Sequence, residues 1–111
     1  MACLFCKIID GEIPCSKVYE DELILVFEDI QPKAEVHLLV IPKQHIERLD
    51  HLNSEHQELI AHMMLSLPKL ALLQGLKDGF RTIINTGPGG GQEVGHLHIH
   101  LLGGKNLPGF H

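Results

Sequence analysis

Apolar and polar positions alternate with period two in several short stretches and follow helical spacing in one long one. Val18 to Glu20 and Leu23 to Glu28 read as two strands divided by an acidic turn at Asp21 and Glu22, the layout of a hairpin. Val36 to Ile41 reads as a third strand stopped by Pro42, Arg81 to Asn85 as a fourth and Gly95 to Leu102 as a fifth. Before them, Phe5 to Asp10, closed by Gly11, suits a short helical turn, after which Pro14 imposes extended backbone. Asn53 or Ser54 is placed to cap a long helix, with Gln57 three residues after Ser54 as the second half of a capping box. Leu59, Ile60, Met63, Met64, Leu67 and Ala71 then share one helical face and should pack on the sheet, the two methionines as core. Pro68 removes a backbone donor inside that pattern, which predicts a kink or two helices meeting, with termination between Gly75 and Gly79.

These elements predict an α+β fold: a five-stranded antiparallel sheet with one long helix over a face and a short N-terminal helix. At 111 residues and 44% hydrophobic composition, the chain has material for one core, and residues 1–111 read as a single domain without repeats or linkers. No apolar run approaches the roughly 20 residues of a membrane span, and the first residues lack a basic, then hydrophobic, leader pattern. The expectation is a soluble, cytoplasmic protein with no membrane partner. The net charge of −5 argues against binding long nucleic acids, whose phosphates call for excess Lys and Arg, but leaves a single small phosphate ligand open. Three cysteines, Cys3, Cys6 and Cys15, make no disulfide framework and are expected to be reduced. A sheet edge left open would suit dimerisation.

The chemistry concentrates in His96, His98 and His100, which in a strand project from one face while Leu97, Ile99 and Leu101 face the core. Three histidines in a row on one face have no ordinary packing rationale. Two chemistries remain open: convergent imidazoles can hold zinc, iron or copper, or one imidazole can act as a nucleophile. Just before the trio, Asn85 to Glu93 forms a glycine-rich turn whose N–H groups and amides suit a phosphoryl group, or which is simply a flexible hairpin loop. Cys3 and Cys6 have the spacing of half a structural zinc site, the alternative being ordinary reduced thiols; a thioredoxin-like role is disfavoured because no strand precedes them. Cys15 looks incidental, and His51, His56, His62 and His111 look solvated.

His96-Leu97-His98-Ile99-His100-Leu101-Leu102 resembles the His-x-His-x-His-x-x signature of the histidine triad family. The segments Phe27 to Pro32, Val36 to His45 and Gly90 to Val94 resemble that family's other motifs in the same order, so the likeness spans nearly the whole chain. The ending Leu101-Leu102-Gly103-Gly104-Lys105 is similar to the Hint branch, of bacterial type, whose members are homodimeric purine nucleoside phosphoramidases, rather than to the dinucleotide-hydrolysing Fhit branch. The resemblance implies a sheet extended across a homodimer and a purine nucleotide substrate, an AMP or GMP conjugate. It implies that His98 attacks the α-phosphorus, that His37 and His100 contact the phosphate and assist proton transfer, and that His96 supports the arrangement. Asn85, Gly91, Gln92 and Glu93 would contact phosphate and ribose. Phe5, Ile8, Phe27, Asp29 and Ile30 would form the nucleoside pocket. Glu93 stands where many animal Hint proteins carry serine, so its carboxylate would receive the amine's proton or favour a cationic leaving group. No cofactor is required for this catalysis. The resemblance further implies a structural zinc held by Cys3, Cys6, His45 and His96. Two competing functions are a noncatalytic nucleotide-binding or interaction module and a metal-dependent hydrolase with the triad as ligands.

Overall fold

The computed structural model describes residues 3–107 and 109. Along the chain run α1 (Leu4–Ile9), β1 (Lys17–Glu20), β2 (Ile24–Glu28), β3 (Val36–Pro42), α2 (Gln57–Leu73), β4 (Arg81–Ile83) and β5 (Ile99–Gly103). The five strands form one antiparallel sheet in the order β1-β2-β3-β5-β4, so β5 is inserted between β3 and β4. This is the α+β architecture that the sequence pattern predicts.

Each sheet face is covered differently, which is why Ile24 to Phe27 of β2 and His37 to Pro42 of β3 are buried at consecutive rather than alternate positions. On one face Ile24, Val26, Leu38, Val40, Leu97, Ile99 and Leu101 pack against Leu59, Met63, Leu67 and Leu70 of α2. On the other, Leu25, Phe27, Leu39 and Ile41 pack beneath Phe5 of α1, with Ile8, Ile9, Cys15 and Val94 at the margin. Each such fully buried side chain contributes about 1.5–3 kcal/mol. Because β3 and β5 pair Leu39 with His100 and His37 with Leu102, both histidines fall on the α1 face, diagonal to each other.

Several local expectations change. The fifth strand joins the ladder only from Ile99, so His96, at the end of a bend, and Leu97 and His98 lie outside the strand pairing. Alternation survives there, with Leu97 in the core beneath α2, as Leu97 donates its N–H to the Ile46 carbonyl at 2.7 Å and anchors the segment. The capping box does form, but its second member is His56, not Gln57: Asn53 accepts from Glu55 N–H at 2.9 Å, and His56 Nδ1 accepts the Asn53 N–H at 3.1 Å. The long helix runs through Pro68 as one element rather than as two helices. Met64 is not core: it is 49% exposed, while Leu70 and Ser66 take places on the buried face. His62 is not merely solvated, since its Nε2 lies 2.7 Å from Asp21 Oδ2 and ties α2 to the β1–β2 turn. His111 falls outside the described residues. Among the described residues no helix is long and apolar enough to cross a membrane.

Candidate functional site

Four elements converge under α1: the start of β3, the end of β2 with the turn after it, β5, and the extended lead-in to β5. His98 is 6% exposed and sits at the centre. Its Nδ1 lies 2.7 Å from the His96 carbonyl oxygen, a pure acceptor, so Nδ1 carries the proton and donates it, leaving a lone pair on Nε2. The ring is braced edge-on by Phe5 (centroids 5.2 Å apart, planes at 89°) and by His100 (5.0 Å, 67°). Phe5 in turn stands edge-on to Phe27 at 5.6 Å. The N-terminal helix is therefore part of the wall that orients His98.

His37 and His100 form a pair beside it, with His37 Nε2 2.9 Å from His100 Nδ1. Asp29 Oδ2 lies 3.4 Å from the same His37 nitrogen, and the Lys33 N–H donates to His37 Nδ1 at 3.1 Å. Burial pushes His37 below the usual histidine range, against the pull of Asp29. His100 is pushed down to about 4, first by burial and then by His98 and His37. At neutral pH both rings are uncharged.

His96 belongs to a different cluster. Its Nε2 lies 2.8 Å from the Pro42 carbonyl oxygen and so carries the proton, which leaves Nδ1 bare. That lone pair faces Cys3 Sγ at 3.3 Å, Cys6 Sγ at 3.6 Å and His45 Nδ1 at 3.1 Å, and Cys6 Sγ is 3.3 Å from His45 Nδ1. Zinc bonds of about 2.0–2.1 Å to nitrogen and 2.3 Å to sulfur set ligand edges of about 3.3–3.8 Å, so the four donors fit a tetrahedral cation. Without a cation, burial and the neighbouring Cys3 push the Cys6 thiol up to about 11. Both nitrogens of His96 are thus committed away from His98 and His100, and the trio does not converge on one point as a three-histidine metal site would require.

The glycine-rich turn is a preformed loop. A 3-10 turn spans Pro88–Gly90, and Gly87 and Gly91 have φ of 68° and 79°. The positive φ of Gly87 favours glycine there, and a Cβ would also displace the Arg48 guanidinium, 2.5 Å away. The N–H groups of Gly90, Gly91 and Gln92 donate to carbonyls within the loop, and Asn85 Nδ2 donates to the Gly90 carbonyl at 2.9 Å. The Gln92 side chain accepts from Gly87 N–H at 2.8 Å and donates to the carbonyls of Glu47 at 2.8 Å and Val94 at 2.9 Å. Much of the donor capacity expected to face a phosphate is used here to shape the loop. Of the residues expected around the nucleoside, Phe5 and Phe27 are buried, Ile8 and Asp29 are half-buried and Ile30 is 92% exposed; Glu93 is exposed. Sequence reasoning missed the contributions of Lys33, Pro42, Glu47 and Arg48. Three of these act through backbone atoms, which leave no residue-type signal.

Fold and site together define a small α+β protein organised around histidines on one sheet face. The family profile described as scavenger mRNA decapping enzyme C-term binding matches residues 2–110. Protein HitA of Neisseria gonorrhoeae is 56% identical over 101 residues, covering 91% of this chain and 94% of that protein. The crystal structure of a HIT family hydrolase from Legionella pneumophila superposes with a TM-score of 0.92 at 50% identity, covering 95% of each chain. A histidine triad protein from Clostridium difficile gives a TM-score of 0.93 at 46% identity, covering 100% of this chain and 97% of that one. The chain belongs to the histidine triad (HIT) family and is of its bacterial, Hint-like type.

Proposed function

We propose that the protein hydrolyses nucleoside 5′-phosphoramidates or related purine nucleotide conjugates at the α-phosphate, through a nucleotidyl intermediate on His98. One observation carries the reading: the His96 carbonyl at 2.7 Å fixes the His98 tautomer that turns a bare Nε2 outward. A neutral imidazole oriented in this way is a ready nucleophile near pH 7. Its lone pair attacks phosphorus, a P–Nε2 bond forms as the P–N bond to the leaving amine breaks, and the amine departs after gaining a proton. Water then attacks phosphorus and loses a proton that balances the one the amine took up, and the electrons of the P–Nε2 bond return to His98. His37 and His100 stand beside the reacting group, neutral because they are buried. The single negative charge of the transferred group is met by oriented donors rather than by a charged side chain. Asp29 is offered to the ribose hydroxyls, and Phe5, Ile8, Phe27 and Ile30 to the purine. Asn85, Gly91, Gln92 and Glu93 form the loop beside the phosphate.

Zinc, in this reading, is held by Cys3, Cys6, His45 and His96 and supplies cohesion, tying the N-terminal helix and the lead-in to β5 to the segment after β3. No reaction step passes through it. The active unit is a homodimer: α2 presents Met64, Leu65, Leu72 and Leu73, at 49–72% exposure, toward solvent, and β4 is the last strand at one edge of the sheet. These features support a two-fold interface of helix against helix and strand against strand.

The test is an activity screen of adenosine and guanosine phosphoramidates beside dinucleoside polyphosphates, with wild type and His98→Asn. Turnover of the phosphoramidates that is lost in the variant is the expected result. A preference for the polyphosphates, or binding without turnover, would overturn the substrate class or the enzymatic reading respectively.

A further inference from the structure

We propose that the backbone N–H of Lys33 is a positioning group that sets the direction of hydrogen bonding through His37 to His100, so that His100 offers the bound phosphoryl group a proton rather than a lone pair. The proposal rests on the reading of the site given above.

The direction follows from three contacts. An amide nitrogen only donates, so the Lys33 N–H at 3.1 Å requires a lone pair on His37 Nδ1. A neutral His37 must then carry its proton on Nε2, and that proton points at His100 Nδ1, 2.9 Å away. His100 Nδ1 is thereby the acceptor, and its own proton is forced onto Nε2. Asp29 Oδ2, 3.4 Å from His37 Nε2, reinforces the same polarity, because a carboxylate also accepts. The opposite arrangement would place an N–H of His37 head-on against the N–H of Lys33. His37 is only 4% exposed, so water has little access to relieve that conflict.

The turn that delivers the Lys33 N–H is itself anchored. Asp29 N–H donates to the His37 carbonyl at 3.0 Å, and Asp29 Oδ1 accepts the Gln31 N–H at 2.9 Å. The Asp29, His37 and His100 ligand atoms lie close enough together to resemble a metal site. The polarity argues otherwise: a cation would need the Nε2 lone pair of His37, and the proton displaced to Nδ1 would oppose Lys33. The two free ring nitrogens of the catalytic pair therefore differ in kind. His98 presents a lone pair for attack, and His100 presents an N–H to a developing negative charge.

The test reads ring protons directly. In histidine-labelled free protein at mildly alkaline pH, long-range ¹H–¹⁵N correlations should show His37 and His100 protonated on Nε2 and His98 on Nδ1. Lys33→Ala, which keeps the N–H, should show the same tautomers. Lys33→Pro removes the donor. A semisynthetic chain with an ester in place of the amide at residue 33 removes it with the side chain kept, and guards against a proline variant that misfolds. In either folded variant part of the His37 and His100 population should move its proton to Nδ1, the remainder being held on Nε2 by Asp29 alone, and kcat for an adenosine phosphoramidate should fall with KM little changed. A wild-type His100 protonated on Nδ1, or unchanged tautomers in the folded ester variant, would overturn the proposal. A tautomer switch in a protein that turns over no phosphoramidate would uphold the polarity and sink the substrate reading instead.

Discussion

Replacing Gln92 by leucine separates two roles for this residue. The resemblance to other histidine triad proteins places Gln92 at the nucleotide, yet here its side chain makes three internal bonds, to Gly87 N–H and to the carbonyls of Glu47 and Val94, at 2.8, 2.8 and 2.9 Å. A hydrogen bond of this type contributes about 1 kcal/mol net, and water can replace the exposed bond to Glu47, so the loss should be about 2 kcal/mol. For a chain of this size that lowers Tm by about 8 °C. Gln92→Glu should do at least as much harm, since it keeps an acceptor for Gly87 but turns a carboxylate oxygen onto two carbonyls. Urea unfolding gives the stability, and steady-state kinetics gives KM. If the leucine variant stayed within about 0.5 kcal/mol of wild type while KM alone rose, the loop-stitching role would be wrong and a direct nucleotide contact favoured.

Chelation of the purified protein should release about one zinc per chain and lower Tm more than it lowers turnover by the still-folded protein; metal-free protein of full stability, purified without denaturant, would exclude the site. Leu65→Glu or Leu72→Glu on the exposed face of α2 should convert a dimer to monomer in sedimentation at micromolar concentration, and a wild type that sediments only as monomer would refute the assembly. Burial holds His37 and His100 below the value of an unfolded histidine, about 6.5. The unfolded chain therefore binds more protons on acidification. The stability these groups contribute should be fully present above about pH 6.5 and be lost as pH falls below it, through about 4 for His100, which urea midpoints across that range will show.

The five strands and the separation of histidine and leucine faces around His98 were legible because period-two alternation persists even where the strand ladder does not, whereas the insertion of β5 between β3 and β4 leaves no mark in that pattern. The lead-in to β5 keeps its alternation without being paired to a strand, since β3 ends at Pro42 and a single bond from Leu97 to Ile46 takes over; no residue pattern distinguishes that from a true strand. Met64 was misplaced because α2 is apolar on two faces, and helical period alone does not say which one meets the sheet. Pro68 is tolerated where Met64 and Pro68 face outward, so the carbonyl it leaves without a donor is open to water. At the capping box an imidazole acceptor replaces the usual carboxamide or carboxylate, a substitution that a search for Glu or Gln overlooks. The His37–His100 contact joins residues far apart in the chain, and it was legible only through family likeness. The bonds that fix tautomers, from the Lys33 N–H and to the carbonyls of His96 and Pro42, are backbone bonds, which any residue type supplies except that proline lacks the N–H.

Rapid quenching tests covalent catalysis by His98 most directly. Wild type mixed with an adenosine phosphoramidate and stopped within one turnover should yield an acid-labile nucleotidyl group on His98, absent from His98→Asn. With a stereochemically labelled phosphorus centre in ¹⁸O water, the product should show net retention, the result of two in-line displacements. Net inversion, or full turnover by His98→Asn, would mean that water attacks phosphorus directly and would contradict the account.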